Sequence, residues 1–81
     1  MKKTRDELFL LKLHEVALKF GDFEQEVDKY MVGKQIGQNE KGVDNIVRHL
    51  AQANFVKKGD DNSVYLTENG LKLVEQLKES L

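Results

Sequence analysis

The sequence predicts a small α+β domain, mainly α: three helices, a two-stranded β-hairpin and a closing helix, all within one domain spanning 1–81. Apolar residues recur at helical spacing in four stretches, each opened by a capping residue. Between the third and fourth, "FVKKGDDNSVYLT" reads as two short extended runs around a polar turn. A chain of 81 residues with 40% apolar content suffices for one core and not for two.

The first helix starts at about Arg5, because Thr4 and Glu7 have the spacing of a capping box in which each side chain satisfies an amide of the other's turn. Phe9, Leu13, Val16 and Phe20 form its stripe, and Gly21 supplies a left-handed residue at its end. Sixteen residues make it about 24 Å long. Leu8, Leu10 and Leu11 fall off that stripe and call for a second covering surface. A second helix lies within 23–36, capped by Asp22 with Gln25 or starting later at Asp28. Val27, Tyr30, Met31, Val32 and Ile36 are its buried positions, and Gly33 weakens a long version of it.

Gly37 breaks that helix and Asn39 opens the third, expected from Glu40 to about Ala53. Its apolar stripe is Val43, Ile46, Val47 and Leu50. Glu40, Lys41, Asp44, Asn45, Arg48 and Gln52 lie near the other face, with His49 and Ala51 at the borders. Asn54 suits a left-handed helix end, "FVKK" and "SVYLT" are the hairpin strands, and "GDDN" is their turn. Thr67 caps the last helix, which buries Leu71, Val74, Leu77 and Leu81 and leaves Leu73 aside. Gly70 falls in its first turn at small cost.

Composition narrows the function classes. There is no cysteine, so disulfides and thiolate metal sites are excluded and packing alone must hold the core. No apolar run approaches the roughly 20 residues of a membrane span, and a soluble, cytoplasmic protein is expected. The net charge of −1 hides an uneven distribution: residues 31–58 hold five Lys/Arg against two Asp/Glu, while the flanking segments are acidic on balance. A locally basic middle third permits a nucleic-acid partner.

From Val32 to Val74, roughly half the chain, Ile36-Gly37, Asn39, Val43, Val47, Leu50, Asn54, Phe55 and Val56 are followed by Leu66, Thr67 and Gly70. In this joint spacing the chain resembles the winged helix-turn-helix domains of bacterial and archaeal transcription regulators, the MarR-like and PadR-like groups included. Asn54 stands where those domains usually carry Gly, and Glu40 and Asp44 stand where neutral or basic residues often face phosphate.

The resemblance implies sequence-specific binding of double-stranded DNA by a small transcriptional regulator, with the third helix in the major groove. It implies Asn45 for adenine, Arg48 for guanine or a phosphate, Lys41 for a phosphate, and Glu40 or Asp44 for a cytosine amino group. Lys57, Lys58 and Asn62 of the hairpin would sit by the flanking backbone or minor groove, opposed by Asp60 and Asp61 at its tip. Lys34 completes the basic patch, and Asn39 stands at the helix start. A homodimer through the first and last helices is expected from the surplus leucines Leu8, Leu10, Leu11 and Leu73.

Taken singly, Lys41 and Arg48 are also ordinary solvated residues that would pair with Asp44 at helical spacing. The rival reading is a winged-helix protein–protein interaction module that never touches DNA, favoured by Glu40, Asp44, Asp60 and Asp61. No enzyme, cofactor or metal is expected. His14-Glu15 opens like a zinc-protease helix, but Leu18 occupies the place of the second histidine, and His49 has no ligand cluster near it in sequence. The glycines form no phosphate loop, and Phe9, Phe20, Phe23, Phe55, Tyr30 and Tyr65 read as core or interface rather than as a stacking platform.

Overall fold

The computed structural model describes residues 3–79, so the burial expected of Leu81 lies outside the described residues. Its elements run α1 (Arg5–Phe20), β1 (Val27–Asp28), α2 (Lys29–Gln35), α3 (Glu40–Gln52), β2 (Val56–Lys58), β3 (Ser63–Leu66) and α4 (Glu68–Glu79). The class is therefore α+β and mainly helical. The hairpin, however, is part of a three-stranded antiparallel sheet of order β1-β3-β2, not a two-stranded ribbon. β1 pairs Val27 with Val64 and Asp28 with Ser63, so β3 is held on both sides and the hairpin is tied back to the body.

Local chemistry sets most boundaries. Thr4 and Glu7 form the capping box reciprocally, at 2.9 and 3.1 Å. Gly21 closes α1 by donating its N–H to the Ala17 carbonyl, with extended backbone (φ 165°) rather than the left-handed form expected. Asp22 only builds a turn, accepting from the Glu24 amide, and α2 takes the later of its two candidate starts. There Asp28 accepts from the Tyr30 amide at 2.8 Å. Asn54 adopts φ +66° and terminates α3 as expected. Thr67 accepts from the Gly70 amide at 3.0 Å and donates to the Asn54 carbonyl at 2.6 Å, which ties the start of α4 to the end of α3.

One core joins all four helices to the sheet. Phe9, Leu10, Leu13, Val32, Ile46, Val47, Val64 and Leu66 are fully covered within it. Several apolar assignments change: Leu11, counted as surplus, is partly buried against the core, and Leu71, expected to be buried, is only half-buried. Leu10, counted as surplus, is completely buried, while Phe20, counted as core, is 62% exposed because α1 runs one turn past the edge of the core. Leu73 is half-buried against that core.

Two glycines fix how the layers meet. A Cβ on Gly33 would lie 2.1 Å from Val43 Cγ2, so α2 and α3 cross at a point that admits only glycine. A Cβ on Gly70 would lie 2.1 Å from the Phe55 carbonyl oxygen. Gly70 is thus a requirement of packing, not a mild cost in the first turn of α4.

Candidate nucleic-acid interface

The side chains singled out in sequence gather around α3. At about 100° per residue, Lys41, Asn45, Arg48 and Gln52 fall within about 30° of the line opposite the buried stripe, whereas Asp44 and His49 lie about 70° to either side. Each flanking residue points to a neighbouring helix. His49 approaches Asp6 of α1 at 3.5 Å. Asp44 turns to α2, where its Oδ1 accepts the Tyr30 hydroxyl at 2.8 Å and meets Lys29 Nζ at 3.0 Å.

That contact changes the electrostatics of the helix. The Lys29 hydrogen bond first, and the Tyr30 hydroxyl second, hold the Asp44 carboxyl below its ordinary range. Lys58 of β2 is near enough to add to the effect. Accepting the phenol proton pushes the Tyr30 hydroxyl pKa up in return. Lys29 is mostly buried along its stem and lies 5.1 Å from the Tyr30 ring centre, a cation–π distance. Asp44 therefore does not pair with Lys41 or Arg48 as its spacing suggested; it braces α3 against α2 and shares its charge with a lysine there.

Arg48 finds a different partner: its Nη2 donates to Asn45 Oδ1 at 2.9 Å. Arginine has no acceptor, so this contact fixes the amide orientation, with the Asn45 oxygen turned to Arg48 and the amino group directed elsewhere. The paired bond to adenine expected of Asn45 uses both ends of that amide. In the folded chain one end is engaged.

At the start of α3, Asn39 Oδ1 accepts from the Gly42 amide at 2.8 Å, so its side chain is the helix cap. Lys34, Tyr30, Gln38, Asn39 and Glu40 line a cleft of about 230 Å³ over Val43, where the α2–α3 turn opens to solvent. Glu40 sits in the first turn of α3, where a carboxylate opposes the positive end of the helix dipole.

The hairpin separates its two lysines. Successive strand residues face opposite sides. Lys58, paired with Val64, lies on the side of α2 and Asp44. Lys57, paired with Tyr65, lines a polar cleft of about 440 Å³ together with Glu24, Asn54 and Glu68. The turn is anchored: Asn62 accepts the Lys29 amide at 3.0 Å through its carbonyl, and Glu26 accepts the Asp60 amide at 3.1 Å. Asp61 takes φ +52° at the exposed tip. Asp60 and Asp61 thus stand where the resemblance would bring a wing to DNA.

Sequence reasoning missed Lys29, Tyr30 and Glu26, the residues that position the acidic groups. The sequence reads Tyr30 as core or interface without naming a partner, and nothing local links any of the three to its partner. His14, the other histidine, is buried between α1 and α4 with Nδ1 3.4 Å from Lys78 Nζ. Burial first, then the Lys78 charge, lower its pKa, against a smaller opposing effect of Glu75. No helix among the described residues is long and apolar enough to cross a membrane. No protein-family model, curated protein or solved structure matches the chain.

Proposed function

We propose that this chain is a winged helix-turn-helix protein that binds double-stranded DNA, as a small transcriptional regulator, by inserting the outer face of α3 into the major groove. The observation that carries the reading is the division of charge on α3. Asp44 is drawn onto Lys29 and Tyr30, while Lys41, Asn45 and Arg48 occupy the outward pole. Lys34 and Lys58 flank that pole on the α2 side, where phosphates would approach. The order of α1, α2, turn, α3 and hairpin agrees with the resemblance in sequence. The reading is of a binding protein, not an enzyme: His14 owes its displaced pKa to burial, Tyr30 and Asp44 owe theirs to the bonds between α2 and α3, and Glu15 owes its own to Lys12 on the same helix.

The Asn45–Arg48 bond sharpens the base preference. Arg48 and Lys41 offer only donors, and the Asn45 amide, whose oxygen already accepts from Arg48, presents its amino group as a further donor. Guanine presents two adjacent acceptors in the major groove, whereas adenine presents an acceptor and a donor. The α3 face therefore favours a G·C pair. Selection from a randomised duplex pool tests this: enrichment of a guanine that disappears with Arg48→Ala supports the reading, and no enrichment over the input pool refutes it.

A second reading, a protein-interaction module, is favoured by one specific feature, the exposed apolar side chains of α1. Pairing of two copies through α1 and α4 has lost Leu10 to the core and most of Leu73 to its edge. DNA binding as proposed does not depend on it.

A further inference from the structure

Among the described residues, the exposed large hydrophobic side chains are Leu8, Leu18 and Phe20, and all three lie on α1. Leu8 and Leu18 are 44% and 50% exposed and stand on the helix face turned away from the core. With Leu11 and with Ile36 from the end of α2 they floor a groove of about 370 Å³, whose rim carries Lys12, Glu15 and Lys78. Glu15 is bound by Lys12 at 2.6 Å, and its pKa is lowered by that bond first and also by Lys19 and Lys78. On the rim itself Lys12 and Lys78 face one carboxylate, an excess of one positive charge around an apolar floor, with Lys19 one turn beyond Glu15 outside the lining. Glu75, one turn before Lys78 on α4, acts on His14 but does not line the groove.

We infer that this groove docks an acidic amphipathic helix from a partner protein, its apolar residues seated on Leu8, Leu11, Leu18 and Ile36 and its carboxylates against Lys12 and Lys78. The charge selects the occupant. A second copy would bring together two rims that each carry one lysine in excess, whereas an acidic helix offsets that excess. A bilayer surface is flat and would not fill a concave groove, whereas an amphipathic helix fills one with side chains at i, i+3, i+4 and i+7. The inference concerns a face that shares no residue with the proposed DNA contacts, so each stands or falls by itself.

The test uses the full chain and a synthetic amphipathic peptide with leucines along one face and flanking glutamates, beside a twin carrying lysines in place of the glutamates. In fluorescence anisotropy the glutamate peptide is expected to bind more tightly than its twin by about tenfold or more, and to weaken as salt rises. Leu8→Ser with Leu18→Ser should weaken it by about tenfold, with circular dichroism and duplex binding unchanged. Lys12→Glu with Lys78→Glu should move the preference to the lysine peptide. Equal binding of the two peptides, or no binding of either, overturns the inference. So does sedimentation showing self-association that the leucine variant abolishes, which would make a second copy the occupant. Binding to vesicles containing phosphatidylglycerol, with no binding of the peptide, would overturn it in favour of a membrane surface.

Discussion

The outer faces of α1 and α3 show two ways for a helix to meet solvent. Both helices bury a continuous apolar stripe in the same core. Beyond it, α3 exposes Lys41, Arg48 and Gln52 and half-buries Asn45, polar side chains that water or one another satisfies. α1 exposes leucine and phenylalanine, side chains that water does not satisfy. An interface on α3 is thus chemically silent until a ligand arrives, while one on α1 is visible as surface that a lone chain leaves uncovered. This is why the α3 proposal rests on hydrogen-bond geometry and the α1 proposal on burial and charge.

The largest expected effect breaks the comparison within α1 itself. Leu10→Ala should cost about 2–5 kcal/mol in urea denaturation because Leu10 is fully enclosed, whereas Leu8→Ala should cost about 1 kcal/mol or less. Equal losses would mean that the two leucines do not differ as the fold requires. Next, Gly33→Val should destabilise by about 1–3 kcal/mol or more by forcing α2 off Val43. It should also impair duplex binding by displacing the start of α3. Arg48→Ala sharpens the contrast from the other side: the account expects about 1–3 kcal/mol of lost DNA affinity with stability kept within about 0.5 kcal/mol. A large loss of folding would show that Arg48 is structural.

Two smaller effects depend on pH. His14 has a folded pKa below its ordinary 6.5, so between the two values the unfolded chain holds a proton that the folded chain lacks. Stability therefore rises with pH through that window and is fully present above 6.5. His14→Gln should flatten this part of the profile when urea midpoints are compared at about pH 5 and about pH 7.5. Asp44 works lower on the scale. Its folded pKa lies below its ordinary 3.8, so its contribution is complete above that value and fades as pH falls through the folded one. Asp44→Asn should remove that acid-limb dependence, and an unchanged limb would mean that the Lys29–Tyr30 brace contributes nothing.

What was legible in the sequence was what is settled locally. The Thr4–Glu7 box, the Asn39 cap, the left-handed Asn54 and the Thr67 cap each involve residues a few positions apart, and each occurs where the pattern placed it. β1 was not legible, because two residues are too few for a period and Val27 becomes strand only by facing Val64. Nor was the fate of Asp44: its neighbours on the helix are Lys41 and Arg48, but the groups that hold it belong to α2 and become near only when α2 and α3 cross at Gly33. Gly70 was misjudged for the same reason, since the Phe55 carbonyl that excludes a side chain there is a tertiary neighbour. The candidate α3 residues could be named from helical spacing alone, but not which of them bond to one another.

The most direct test of the α3 proposal is anisotropy of a labelled random-sequence duplex titrated with the chain at several salt concentrations. The account predicts binding that weakens steeply as salt rises, with a slope that drops when Lys41 and Arg48 are replaced together by alanine. Absence of binding at low salt, or a slope unaffected by the two substitutions, would contradict it.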